Sequence, residues 1–320
     1  MQRRHLMAAA AALLLTQAPA ALAQALPAKI TILVGFAAGG AADHAARVVG
    51  KRLAENTGAT VVIDNKAGAG GNIAHQALAN AEPDGSTILL GSIGPLAIAP
   101  HMMKLGYDVQ KDLAPLTMGM NFPSVLVVPP NLGVKTLQEL VALAKKQPGV
   151  LNYGSTGAGS ASHLAGELFN QIGGLDIVHI PYKGGAPAVN ELLAGRLSMY
   201  FATQSTAGPH VAAGKLVSLA TTGKQRAPFA PDLPTVDEIL PGFVATNWYA
   251  FIAPGKTPAP LLDKLNAELV KALKSPEVDA ELNKVGLLPA PGTRQELADF
   301  IAAESRTWGQ VIRDRKITAN

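Results

Sequence analysis

The sequence predicts an α/β protein built as two lobes with a ligand cleft between them, and three observations predict it. Short β-branched runs alternate with longer stretches of helical periodicity, the pattern of mainly parallel sheets flanked by helices. A strand–glycine loop–helix unit occurs in each half of the chain. Residues 24–320, those following an N-terminal segment described below, fit two domains of ordinary size better than one.

The elements follow in order. Residues 30–34, Ile-Thr-Ile-Leu-Val, read as a buried strand, then Gly35-Phe36-Ala37-Ala38-Gly39-Gly40 as a loop and 41–56 as a helix. A strand at 60–64 leads into a glycine-rich loop at 65–72 and a helix ending near Ala81. Pro83-Asp84-Gly85 is a turn before a third strand at 86–91. The second unit opens with a strand at 124–128 and a helix at 136–146, for which Thr136 and Glu139 form a capping box. A strand at 151–154 runs into Ser155-Thr156-Gly157-Ala158-Gly159-Ser160 and a helix at 161–172. A strand at 177–180 and a helix at 186–194 follow; residues 247–252 return as a strand, and helices at 259–274 and 294–313 close the chain. No internal repeat or low-complexity tract interrupts this order.

The N-terminus reads as an export signal. Arg3 and Arg4 precede an apolar run at 6–15, and Ala21-Leu22-Ala23 closes it as an A-x-A cleavage site before Gln24. That run falls short of the about 18–20 residues that span a bilayer. The arginine pair suits either general or twin-arginine export. With no cysteine in the chain, a lipid anchor after the signal is excluded and the core alone must stabilise the fold. A soluble, periplasmic protein is expected, with residues 1–23 removed. Loss of Arg3 and Arg4 from 27 basic residues leaves 25 against 23 acidic ones, so the basic balance belongs partly to the signal. No basic stripe interleaved with aromatics appears, which argues against nucleic acid as a partner.

The two glycine loops carry the chemistry. Glycines let a backbone approach a ligand and turn successive N–H groups into one cavity. The following helix adds the positive end of its dipole and its unpaired amides. Such a pair of loops holds an anion without lysine or arginine, at the carboxyl ends of the strands where open α/β sheets bind ligands.

Enzyme readings fail on their diagnostic residues. Gly35 and Gly40 have the spacing of G-x-x-x-x-G-K-[ST], but Ala41 and Ala42 follow; G-x-G-x-x-G is absent. No G-x-S-x-G nucleophile elbow occurs. His163 and Glu167 stand four apart on a helix without a third ligand or an H-E-x-x-H, so packing or hydrogen bonding near the helix start outweighs a metal role. Lys183, beside glycines in a loop, is solvated or structural rather than a Schiff-base lysine. No catalytic set, metal or cofactor is expected.

At these loops the sequence resembles a known family. Gly35-Phe36-Ala37-Ala38-Gly39-Gly40-Ala41-Ala42-Asp43 is similar to the G/P-F-x-x-G-G-x-x-D segment of the Bug (TctC-type) receptors of tripartite tricarboxylate transport systems. The segments 65–72, 153–160 with His163-Leu164, Pro181-Tyr182-Lys183-Gly184, 209–215, Trp248-Tyr249 and 253–258 match in the family's order. The resemblance implies a type II periplasmic-binding fold, with one lobe from 24–123 and 250–320 and the other from 124–249. It implies a small organic carboxylate held by backbone amides and hydroxyls, with ordered water on one side. The site residues carried over are Phe36, Ala38, Gly39, Asp43, Gly70 and Ser92 from the first lobe, with Ser155, Thr156, Gly157, Ser160, His163, Tyr182 and Thr203 from the second. Asp43 is expected to cap a helix start and bind water. Where relatives often carry Phe-Asp-Asn this chain has Phe201-Ala202-Thr203, and the lost acidic group points away from amino-acid ligands.

The receptor is expected to be a monomer that catalyses nothing. Its partners are the large and small membrane subunits of a transporter or, by the same closure, a sensor protein. The pivots are expected near Asn121-Phe122-Pro123 and Thr246-Asn247.

Overall fold

In a computed structural model that describes residues 25–318, parallel strands lie at the heart of each lobe. The expected signal segment, residues 1–23, lies outside the described residues. Strand β1 (Lys29–Val34) pairs in parallel with β2 (Thr60–Asn65) and with β3 (Thr87–Ser92). Strand β5 (Asn152–Ser155) pairs in parallel with β6 (Val178–Pro181) and with β7 (Met199–Thr203). Two long antiparallel strands join these sets, β4 (Leu113–Val128) and β9 (Thr246–Pro254). The order is β2-β1-β3-β9-β4-β7-β5-β6, with β8 (Val217–Thr221) and β10 (Leu288–Pro289) also on β4. The sheet is therefore mixed rather than mainly parallel, because the strands that cross between lobes run against their neighbours.

Strand β4 is the spine, and it changes partners between Pro123 and Ser124. Up to Pro123 it pairs with β9; from Ser124 it pairs with β7 and β8. The sequence shows only its second half as a strand, since Pro115, Gly119 and Pro123 punctuate the first. These breakers are accommodated by register shifts between Pro115 and Thr117 and between Met118 and Met120.

Helices α1 (Ala41–Thr57) and α2 (Asn72–Ala79) follow the first two strands. In the second lobe lie α3 (Leu137–Lys146), α4 (Ala161–Gly173), α5 (Gly185–Leu193) and α6 (Gln204–Ala212); α7 (Ala259–Leu273), α8 (Pro276–Lys284) and α9 (Arg294–Arg315) return to the first. The α3 capping box forms: Thr136 Oγ1 accepts from the Glu139 N–H at 3.2 Å, and Glu139 accepts from the Thr136 N–H at 3.2 Å. Each such cap is worth about 1 kcal/mol. Strands β7 and β8 and helices α6 and α8 are not evident in the sequence; α6 carries Pro209 within it and the strands span only five residues each.

Apolar clusters cover the sheet faces. Ile30, Ile32, Val34, Ala45, Val49 and Leu53 pack β1 under α1, and Phe251, Leu265 and Leu269 extend this layer to α7. Tyr153, Leu164, Phe169, Phe201 and Phe243 fill one side of the second lobe. Burying such a side chain contributes about 1.5–3 kcal/mol, so two well-filled lobes stand without disulfides.

Candidate functional site

Every parallel strand at the lobe seam ends in a loop that starts a helix, and these helix starts converge. With the lobes together, a small cavity of about 30 Å³ lies between them. Its wall includes Gly40, Ala41 and Ala42 at the start of α1, Ala161 and Ser162 at the start of α4, and Gly185 at the start of α5. Thr203, at the N-cap position of α6, joins them. The first in-helix bonds of α1, α4 and α5 are donated by His44, Leu164 and Ala188, leaving the earlier amides free of helical partners.

The rest of the wall is neutral. Phe36, Ser92, Ser124, Thr156, Tyr200, Asn247 and Tyr249 contribute rings, hydroxyls and an amide, and no Lys, Arg, His, Asp or Glu lines the cavity. Tyr200 and Tyr249 are buried; burial drives both phenols above the ordinary tyrosine value, so both remain neutral hydrogen-bonding groups. A larger cleft of about 690 Å³ opens beside the middle of α9, but none of the glycine-loop residues lines it.

Of the residues expected from sequence, Phe36, Ser92, Thr156 and Thr203 line the cavity. Others stand one layer behind. Ser155 Oγ accepts from the Gly157 N–H at 3.0 Å and lies 2.6 Å from His179 Nε2. Ser160 caps α4, accepting from the His163 N–H at 3.3 Å. His163 is buried and stacks on His179, with centroids 4.1 Å apart. Asp43 sits in the first turn of α1, where its carboxylate accepts from the Gly39 N–H at 3.0 Å and pairs with Arg47 at 2.8 Å. Burial opposes its charge, but the bonds from Arg47, Gly39 and Asn65 prevail and hold the carboxyl below its usual range. Ala38 and Gly39 are exposed and do not line the cavity. Tyr182 packs on the second lobe's core, with Glu191 and Arg196 near its phenol.

Gly70 and Gly157 lie where the lobes touch. The seam is shut in this structure: the Ala37 N–H donates to Lys183 O at 3.0 Å, and a Cβ on Gly184 would stand 2.9 Å from the Ala37 nitrogen. The wall residues that sequence reasoning missed include Ile93, Gly94, Ser124, Ala161, Ser162, Gly185, Tyr200 and Asn247, with Tyr249 noted only as part of a family match. Only the helix starts had a local signal, because Ser162 and Gly185 directly follow glycine loops. Ala202 is buried with Val125, Val189 and Leu192 in the second lobe's core, between two wall residues.

Comparison with known proteins places this architecture. A model of the tripartite tricarboxylate transporter family receptor matches residues 45–317. Protein BugT of Bordetella pertussis is 36% identical over 288 residues, covering 89% of this chain and 88% of that protein. The solved structure of a periplasmic transporter is 35% identical with a TM-score of 0.87, covering 91% of this chain and 98% of the other. A Rhodopseudomonas palustris protein solved with adipate is 32% identical with a TM-score of 0.87 over the same shares. These matches bear out the periplasmic-binding fold that the family resemblance implies. The chain belongs to the receptor family of the tripartite tricarboxylate transporters, a family of binding proteins rather than enzymes.

Proposed function

We propose that the cavity captures a small organic carboxylate in the periplasm and that the closed receptor delivers it to the large and small membrane subunits of a tripartite transporter. One observation carries the reading: four helix starts aim at a cavity with no ionisable cation in its wall. Removing a carboxylate from water costs several kcal/mol. Each helix start offers about half a positive charge, and each hydrogen bond to an anion returns about 1.5–3 kcal/mol. Three or four such contacts offset the cost for an anion, whereas an ammonium group meets positive dipole ends and no carboxylate there. The relative solved with adipate supports the ligand class.

The lobes are 24–123 with 250–320, and 124–249. The change of β4 partners between Pro123 and Ser124 supports the first boundary, although residues 246–249 already pair with strands of the first lobe. The basic, apolar and small-residue order of 1–23 supports export by a cleaved signal, with a soluble monomer as the mature form. Within the site, Phe36, Ser92, Thr156 and Thr203 contact the ligand, and Ser155, Ser160 and Asp43 hold the loops that present it.

A thermal-shift screen of aliphatic and aromatic carboxylates, adipate among them, tests this reading. A ligand at 100 times its dissociation constant adds about 2.7 kcal/mol of stability. Carboxylates should stabilise the protein and their primary amides should not. Stabilisation by cationic or neutral solutes, with no response to any carboxylate, would overturn the reading.

A further inference from the structure

The second-lobe loop depends on one buried ring. His163 Nδ1 lies 3.2 Å from the Gly159 nitrogen and accepts its N–H. A backbone amide cannot turn its hydrogen away, so Nδ1 must carry a lone pair and the ring must be neutral. Gly159 stands at the lobe seam. A Cβ on Gly94 would meet Gly159 O at 2.9 Å, and one on Gly159 would meet Met103 Cε at 2.9 Å. The same loop positions Thr156 and the start of α4, both in the cavity wall.

We infer that His163 is a positioning residue for ligand capture, whose neutral ring fixes the 155–160 loop through the Gly159 amide so that uptake of a proton by the ring releases the anion. The inference rests on the proposed carboxylate site. A protonated Nδ1 would direct an N–H at the N–H of Gly159, and the loop would have to leave its closed position. Ligand binding and ring protonation therefore oppose each other, and each weakens the other by the same factor.

The groups around the ring decide how readily this happens. Glu167, on α4, has Oε1 4.0 Å from His163 Nε2 and favours a charged ring, but that oxygen also accepts from Tyr153 Oη on β5 at 2.6 Å. His179, on β6, stacks against the ring, and the first-lobe groups against Gly159, namely the Met103 methyl, Ala99 and Gly94, carry no charge. Burial first, and then the charge of His179, push the His163 ring down to about 3. His179 is not equivalent: its Nε2 meets a serine hydroxyl, which rotates to donate or accept. The backbone partner makes His163 the sensitive member of the pair.

The test compares wild type with His163→Asn, whose side-chain oxygen keeps an acceptor near the Nδ1 position but does not titrate. Adipate affinity is measured by calorimetry from pH 7.5 to 4.5, within the range where circular dichroism of both proteins is unchanged. Taking the ratio of the two dissociation constants cancels protonation of adipate itself. Between pH 7.5 and pH 4.5 wild type should lose at least threefold more affinity than the variant, whatever the offset between the two at pH 7.5. Amide exchange in the ligand-free proteins gives a second readout. The protection factor of Gly159 should fall with acid in wild type and hold in His163→Asn. A flat ratio, or equal Gly159 protection at both pH values in wild type, would overturn the inference. If adipate fails to bind either protein, that counts against the carboxylate reading, and Gly159 exchange alone decides the role of His163.

Discussion

Gly70 and Gly157 meet backbone to backbone where the two lobes close, so near that a Cβ on Gly157 would stand 2.5 Å from the Gly70 nitrogen. A Cβ on Gly70 would stand 2.4 Å from Ala158 O. Both residues have positive φ, 64° and 123°, which L side chains rarely adopt. Gly157→Ala should therefore hold the lobes apart, since the obstructing atoms are backbone and cannot rotate aside. Ligand affinity should fall at least about tenfold, or about 1.4 kcal/mol, while strain at 157 costs the free protein about 1–3 kcal/mol. Calorimetry with a confirmed carboxylate and thermal melts of the free protein separate the two effects. Unchanged affinity would mean that these glycines do not meet in the bound state.

Hydroxyls in the wall should matter more than those behind it. Ser162 Oγ accepts from the Thr156 N–H at 2.9 Å and lines the cavity. Ser162→Ala should weaken carboxylate binding by about 1.5–3 kcal/mol, the range for hydrogen bonds to charged groups. Ser155→Ala and Ser160→Ala should weaken it less, through the Gly157 and His163 amides they hold. Dissociation constants for the three variants check the order. Equal affinities throughout would move the anion away from α4.

Acid should destabilise the fold through His75. Its Nδ1–H donates to Gly71 O at 2.9 Å, while its Nε2 is buried without a partner among the described residues. Burial, against the opposing bond to Gly71, pushes the ring from 6.5 down to about 4. The unfolded chain takes up the proton first, so between those values the unfolded state binds more protons and stability falls as pH falls. One pH unit is worth about 1.4 kcal/mol, making the loss about 3 kcal/mol by pH 4. His163 adds to it in the same direction. Urea unfolding at pH 7 and pH 4.5 should show this decline, and His75→Asn should flatten part of it. A stability independent of pH across this range would contradict the assignment.

Much of this architecture is legible in the sequence, and what is not has a physical reason. The α/β class follows from alternating runs such as 30–34 and 41–56, and the α3 cap from Thr136 and Glu139, because these are local patterns. The glycine loops point to an anion site for the same reason. The cavity wall is another matter. Tyr200, Ser124, Asn247 and Tyr249 reach it from β7, β4 and β9, through pairings such as Ser124 with Thr203 and Met120 with Tyr249. Nothing local in a strand says which distant strand lies beside it. The prolines and glycine of β4 hide the spine itself, since the bulges that accommodate them need partner strands. His163 shows the limit most clearly: resemblance places it in the site, while its ring serves the Gly159 amide behind the wall.

The last prediction concerns closure. Each lobe supplies part of the wall, Phe36 and Ala41 from one and Thr156 and Gly185 from the other, so neither binds the ligand fully while the lobes are apart. The lobes are joined through β4 and β9, where Phe122 pairs with Asn247 and Pro123 with Thr246. Pro123 offers no N–H, and just beyond it the Ser124 N–H turns to Thr222 Oγ1, at 2.8 Å. Sheet bonding thus changes partners at this point, which suits it to act as the pivot. Ligand should shift the population toward the shut seam by its differential affinity for that state. Small-angle scattering should show a smaller radius of gyration with a confirmed carboxylate than without it, and Gly157→Ala should abolish the change. Tight binding with an unchanged radius in wild type would mean that the lobes are set before the ligand arrives.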